Sequence, residues 1–229
     1  MDQESIIKLH KECSIALKKL NDKLQESNIS YDIPTINLVN IPSGYIRPVL
    51  SFANSYQLRK VIKNQKLVSN IYYSFQYLEY LKYINKTFAI TLGIRTLFFK
   101  YSIIHIYSIY EGILSGVNDS LRVGCEECKK HASCPHFIPK SKYKTHEKIL
   151  ELLENKVKIS LEFVVIFNKF KKSRDLVHIH TIGASEHQNE KYELMLIEGY
   201  RGLNILKNEL VTKVFDYEKI RNCKCFNSK

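Results

Sequence analysis

The stretch TFAITLGIRTLFFKYSIIHIYSIYEGIL, from Thr87 to Leu114, is the most apolar part of the chain. Ile, Leu, Phe and Tyr dominate it, so it should supply much of a hydrophobic core. It is long enough to cross a membrane, but four polar or charged residues interrupt it: Arg95, Lys100, His105 and Glu111. Because such side chains are costly inside a lipid bilayer, the stretch predicts a buried helix of a folded domain.

On both sides of this stretch, apolar residues recur at three- and four-residue intervals, the pattern of amphipathic helices. A break or bend is expected near Thr91, Leu92 and Gly93, because Gly and β-branched residues form helices poorly. The sequence therefore predicts an all-α bundle. The predicted helices span Glu4 to Glu26, Phe52 to Lys66, Ile71 to Ser115, Lys144 to Glu154, Ile159 to Lys172 and Glu190 to Tyr217.

The pattern divides the chain into three regions. Residues 1–70 contain the first helix, which carries Cys13 on its apolar side as a predicted core thiol, and an extended connection over Asn28 to Pro48 with three prolines. Residues 71–217 form the helical core, and residues 218–229 form a tail. Within the core, residues 118–142 lack a helical period and predict a cysteine-bearing loop between helices.

Composition indicates one folded, basic domain. Of the 229 residues, 45% are apolar and 25% are charged, which excludes a disordered chain. The net charge of +12 favours a polyanionic partner such as nucleic acid.

The first residues lack the apolar core of a signal peptide, so we expect a cytoplasmic protein with no membrane contact. The sequence has no Walker motif, nucleophile elbow or H-E-x-x-H, which argues against common ATPases, serine hydrolases and zincin peptidases.

The segment KKSRDLVHIH, residues 171–180, lies between two apolar helical patterns. Arg174 is followed at once by Asp175, and five residues separate Arg174 from His180. This R-x5-H arrangement resembles the motif of the HEPN superfamily (higher eukaryotes and prokaryotes nucleotide-binding). The aromatic helix from Phe99 to Glu111 also resembles an earlier helix of that bundle. The resemblance covers residues 71–217 and leaves the first helix and the cysteine loop as additions.

The resemblance implies a HEPN-like bundle that acts as a metal-independent endoribonuclease, usually as a homodimer whose two motifs face one cleft. Many relatives are toxins or antiviral defence effectors, which implies RNA as substrate and an antitoxin or other protein partner. Arg174 would hold the scissile phosphate, His180 would move the proton, and Asp175 would orient them. Catalysis would need no cofactor. The alternative is a non-catalytic HEPN-like module for dimerisation or for binding RNA or protein.

The residues alone do not decide which histidine acts with Arg174. The motif spacing selects His180, whereas on a regular helix His178 lies four residues after Arg174 and shares its face. A plainer interpretation is a basic helix end with Arg174 in a surface ion pair. In a third interpretation, residues 177–182 form a strand, which places the imidazoles of His178 and His180 on one face. That pair would be an H-x-H metal site, and it would need Glu186 or His187 as a further ligand.

Further charges accompany the motif. Lysines occur in three runs, at 129–130, 140–144 and 169–172, and would bind phosphates in a salt-sensitive way. Glu111 is another candidate site residue, which could pair with Arg174 across the bundle.

Five of the six cysteines fall in two groups, one in the predicted loop and one in the tail. Zinc takes four tetrahedral thiolate or imidazole ligands, and C-x2-C is a usual half of such a site. The second half is open: it is either Cys134 with His136, with His131 also in range, or the pair in the tail. The prediction is a structural zinc, and the alternative is a reduced, unliganded loop. The candidate ligands are Cys125, Cys128, Cys134, Cys223 and Cys225.

Overall fold

The computed structural model describes residues 46–87, 90, 92–126, 145–177 and 189–220, together with scattered residues from Asp2 to Lys23. Every regular element within these ranges is helical, and no strand occurs in them. The predicted all-α class is therefore confirmed. None of the helices in these ranges has both the length and the apolar character that crossing a bilayer requires.

The chain divides into two compact units, Met1–Tyr45 and Ile46–Lys229. The first unit is helical at its described positions from Glu4 to Lys23. The Asp2 carboxylate accepts a hydrogen bond from the Ser5 backbone N–H at 2.7 Å, which caps this helix and lowers the pKa of Asp2. Cys13 is exposed. The prediction of a core thiol is wrong, because the side of the helix that carries Cys13 is open to solvent.

The second unit contains a short helix followed by five further helices within the described ranges. A 3₁₀ turn, Leu58–Lys60, follows the helix that ends at Tyr56, and a π-helical turn, Leu153–Val157, follows the helix that ends at Leu152. The helices are α1 (Val49–Tyr56), α2 (Gln65–Thr87), α3 (Leu92–Glu126), α4 (His146–Leu152), α5 (Leu161–Val177) and α6 (Asn189–Ile220). Residues 46–70, assigned from the sequence to the N-terminal region, belong to this compact unit.

The single helix predicted over Phe52 to Lys66 is wrong. Gln57 has a φ of 50°, in the left-handed region, and this ends α1. The backbone N–H of Leu58 then donates to the Tyr72 hydroxyl of α2 at 3.0 Å, which fastens the 3₁₀ turn to the core. The chain therefore turns on a tertiary hydrogen bond that the local pattern does not show.

The break predicted near Thr91 is confirmed, since α2 ends at Thr87 and α3 begins at Leu92. The loop predicted from residue 118 is wrong at its start, because α3 continues to Glu126. Ser120 explains the continuation: its buried hydroxyl donates to the Gly116 carbonyl at 2.7 Å and accepts from the Lys63 backbone N–H at 2.8 Å. The rest of the predicted loop, residues 127–142, lies outside the described residues.

Helix α3 is the centre of the bundle. It runs antiparallel to α2 and α5 and parallel to α6, and it also contacts α4. Tyr110 of α3 is fully buried, and its ring packs edge-on against Phe163 and Phe170 of α5 at centroid distances of 5.4 and 5.7 Å. The buried helix predicted from the apolar stretch is confirmed.

Two glycines let α6 approach this centre closely. The Tyr110 hydroxyl donates to the Gly199 carbonyl at 2.6 Å. A Cβ atom placed on Gly202 would lie 2.2 Å from the Tyr110 oxygen, and one on Gly199 would lie 2.5 Å from Phe170. Because only glycine fits at these positions, they fix how α6 is seated on α3 and α5.

Candidate functional site

Four helix termini meet at one end of the bundle, which we call the motif end: the C-termini of α2 and α5 and the N-termini of α3 and α6. The ion pair between Arg95 of α3 and Glu193 of α6, at 3.6 Å, lies at this end. Arg174 and Asp175 are on the last turn of α5, and α6 begins at Asn189. The candidate motif therefore begins where α5 ends, between two packed helices.

The position of Arg174 along α5 continues a buried stripe. Phe163, Phe167 and Phe170 are fully buried and spaced by four and three residues, and Arg174 follows Phe170 by four. At 3.6 residues per turn, its backbone position extends the face of α5 that packs on α3 and α6. Arg174 therefore continues this row of positions at the C-terminal end of α5.

The two histidines, His178 and His180, lie outside the described residues, so which one pairs with Arg174 stays a prediction. The strand interpretation is wrong at its first residue, because Val177 belongs to α5. Its other members, including Glu186 and His187, lie outside the described residues.

The lysine run at the end of α5 is divided between ion pairs and solvent. Lys169 pairs with Glu198 at 2.6 Å, and Lys171 pairs with Glu147 of α4. The hydrogen bond from Lys171 lowers the pKa of the Glu147 carboxyl. Lys172 is exposed and is the lysine of this run that is open to a phosphate. The other two lysine runs, at 129–130 and 140–144, lie outside the described residues.

Two cations from α3 add to the motif end, and the sequence pattern assigned them only to the apolar stretch. Arg95 pairs with Glu193 and also lies 5.3 Å from the centroid of the Phe99 ring. The Tyr107 ring of α3 and the Phe167 ring of α5 lie 5.3 Å apart, centroid to centroid. Arg174 follows Phe167 by seven residues, and Lys100 precedes Tyr107 by seven. Because the two helices are antiparallel, the backbones of Arg174 and Lys100 lie at the same level of the bundle. The Nζ atom of Lys100 lies 5.8 Å from the centroid of the Tyr192 ring of α6. Lys100 adds positive charge at this end, whereas the charge of Arg95 is balanced by that of Glu193.

The same register separates Glu111 from Arg174. Glu111 is eleven residues along α3 from Lys100, which is about 16 Å at 1.5 Å per residue. The predicted ion pair between them is therefore disfavoured, because the two backbones lie at different levels of the bundle.

A polar cavity of about 210 Å³ lies elsewhere in the bundle, between α1, α2 and α6, and was not foreseen from the sequence. At its edge the Glu79 carboxylate accepts hydrogen bonds from the Arg47 side chain at 2.6 Å and from its backbone N–H at 2.9 Å. Arg47 stands in the predicted extended connection, and no local signal relates it to a residue 32 positions later.

Two phenols, those of Tyr56 and Tyr200, also line this cavity. Burial, opposed by Arg47 and reinforced by Glu79, raises the pKa of Tyr56 to about 12. Burial and the Glu79 charge raise that of Tyr200 to about 12 as well. Near neutral pH both phenols are therefore uncharged hydrogen-bond donors and cannot serve as bases. These two phenols consequently offer hydrogen bonds rather than proton-transfer chemistry.

Of the proposed zinc ligands, only Cys125 falls in the described ranges, in the last turn of α3. Cys128, Cys134, Cys223 and Cys225 lie outside them, as do His131 and His136. Within the described part of the chain, no three His, Cys, Asp or Glu side chains come together as a metal ion would require.

The zinc hypothesis is tested by metal analysis of protein purified without added metal. We expect about one zinc per chain, because four thiolate or imidazole ligands bind zinc tightly at neutral pH. Cys125→Ser should lower the zinc content to near zero, whereas Cys13→Ser should leave it unchanged. A wild-type content near zero would end the hypothesis.

No model of a known protein family matches the chain, and comparisons with curated proteins and with solved structures also found no match.

Proposed function

We propose that the chain is a metal-independent endoribonuclease of the HEPN type. The observation that supports this most is the placement of Arg174, on the last turn of α5 and in register with the buried stripe of that helix. Lys100 and Lys172 add positive charge to the same end of the bundle, where Arg95 is paired with Glu193. Such a setting suits a polyanionic substrate, and a chain with a net charge of +12 attracts one.

The proposed reaction uses the substrate's own 2′-hydroxyl. His180, or His178 in its place, accepts the 2′-hydroxyl proton while the 2′-oxygen attacks the adjacent phosphorus. The bond from phosphorus to the 5′-oxygen breaks, and that oxygen takes up a proton. The products are a 2′,3′-cyclic phosphate and a free 5′-hydroxyl. Arg174 stabilises the negative charge that gathers on the phosphorane, and Asp175 orients its neighbours.

The proposed biological role is that of a toxin or antiviral defence effector. An RNA-cleaving enzyme of this kind would harm its own cell unless restrained, so the role implies an antitoxin or another neutralising protein. The enzyme would act as a homodimer with both motifs in one cleft, in the cytoplasm where its RNA substrates are.

The proposal is tested by incubating the purified chain in EDTA with labelled single-stranded RNA and with DNA of the same sequence. We expect the RNA to be cut to products with cyclic-phosphate ends and the DNA to stay intact, because DNA lacks the 2′-hydroxyl. RNA carrying 2′-O-methyl groups should also resist. A far-UV circular dichroism spectrum in EDTA serves as the control for folding.

Cleavage of DNA at an equal rate, or cleavage that appears only with Mg²⁺, would contradict the proposal. RNA that binds and stays intact would favour the alternative, a non-catalytic module that binds RNA.

A further inference from the structure

Six large apolar side chains are exposed on one face of the α2–α3 hairpin, which we call the tyrosine face. Each of them is between 36% and 62% exposed, whereas the other large apolar side chains described in these two helices are buried or half-buried. The tyrosine face consists of Tyr73, Tyr77 and Tyr80 on α2 and Ile94, Leu97 and Tyr101 on α3.

These residues form one continuous surface. On α2, the Tyr77 and Tyr80 rings stack at a centroid distance of 6.1 Å. The Tyr77 ring also contacts the His105 ring of α3 edge-on at 4.9 Å. His105 is held in place by donating from Nε2 to the Ser74 carbonyl at 3.0 Å, and Tyr101 lies one helical turn before it. His105 therefore joins the two rows of side chains.

We propose that the tyrosine face is the interface between two copies of this chain in a homodimer. The six side chains expose on the order of 600 Å², close to the roughly 800 Å² per partner of a stable protein interface. Tyrosine is also the kind of residue that concentrates binding energy at such interfaces. A two-fold axis through the face would pair it with itself, as symmetric dimers require.

Charge favours a second copy over RNA as the occupant. None of the six residues carries a formal charge, and partial burial lowers the pKa of His105, which keeps that imidazole neutral at neutral pH. Two chains that each carry +12 repel one another, so they approach most easily through an uncharged surface. A surface for RNA would need cations where this one has phenols and aliphatic groups.

The position of the face fits the proposed function, on which this inference rests for its biological meaning. Leu97 and Ile94 are within the first turns of α3, so the face extends toward the motif end. A dimer formed there would hold two copies of the motif in one assembly. The oligomeric state is measured without RNA, so its outcome is independent of whether the chain cleaves RNA.

The test is sedimentation equilibrium of the full chain at micromolar concentration, with three single variants. We expect wild type to have twice the chain mass of 26.8 kDa. Leu97→Arg and Tyr101→Arg should each weaken the dimer by about 30-fold or more, because a buried charge at the centre of an interface has no partner. Leu194→Arg changes another exposed leucine, on α6 and outside the face, and should stay dimeric. Circular dichroism confirms that each variant is folded.

Three results would overturn the inference. The first is a wild-type chain that stays at 26.8 kDa at tens of micromolar. The second is a dimer that survives both substitutions in the face, whatever the result for Leu194→Arg. The third is a monomer whose RNA binding is lost in Leu97→Arg and Tyr101→Arg, which would make the face a surface for RNA bases.

Discussion

Arg174→Ala should lower kcat for RNA cleavage by about 100- to 1,000-fold, with little change in KM. Removing one fixed donor from a site that stabilises transition-state charge has an effect of this size. The guanidinium acts mainly on the charge that gathers on the phosphorane, so its loss should reach the chemical step more than substrate binding. The measurement is steady-state cleavage of labelled RNA in EDTA.

Two further variants make this prediction specific. Arg174→Lys keeps the charge and loses the planar fork, so it should recover only part of the rate. Arg201→Ala is the matched control, because Arg201 is an exposed helical arginine, on α6, whose charge pairs with Glu162 at 2.5 Å. It should change kcat by less than about 2-fold. A folded Arg174→Ala protein with wild-type kcat would refute the proposed role of Arg174.

The same assay decides which histidine acts with Arg174. Loss of cleavage in His180→Ala, with activity retained in His178→Ala, would confirm the motif spacing, and the reverse result would confirm the helical spacing. Loss in both would indicate that the two imidazoles divide the roles of base and acid.

Gly202→Ala should destabilise the protein by about 2–4 kcal/mol. The new methyl group would lie 2.2 Å from the oxygen of Tyr110, which is fully buried and donates to the Gly199 carbonyl. Either α6 moves away from α3 or the hydroxyl loses its acceptor, and both outcomes cost free energy. Urea denaturation followed by circular dichroism measures the free energy of unfolding.

Gly112→Ala is the matched control for this prediction. A Cβ atom there would lie 3.3 Å from Cγ1 and 3.4 Å from Cδ1 of the Ile71 side chain, which can move by the few tenths of an ångström needed. Since alanine also favours the helix, its effect should stay within about 1 kcal/mol. The double variant Gly202→Ala with Tyr110→Phe removes the oxygen that clashes, so it should be less destabilised than the two single changes added together. Additivity would show that the clash is not the cause.

The pattern of apolar and helix-breaking residues predicted the structural elements that are determined by residues close together in sequence. The stretch around Tyr110 is apolar on nearly all sides, so its burial could be read from composition, and the break before Leu92 followed from weak helix formers. The turn at Gln57 depends on the Tyr72 hydroxyl, and the extension of α3 past residue 118 depends on Ser120 reaching Lys63. Neither partner is near in sequence, so no periodicity could show them.

The candidate site divides in the same way. Arg174 was predicted as a site residue because its neighbours in sequence form a short motif. Lys100 could be placed at the same level of the bundle only after the antiparallel register of α3 and α5 was known. Glu111 was associated with Arg174 because a carboxylate in an apolar helix needs a partner, but helix register decides which partners are in range.

The seating of α6 on Tyr110 has a mechanical consequence for the motif end. Phe170 of α5 and Gly199 of α6 both pack on this one tyrosine, so neither helix can slide past the other without disturbing it. The C-terminus of α5 and the N-terminus of α6 are therefore coupled through α3, and we expect a displacement of one to be accompanied by a displacement of the other.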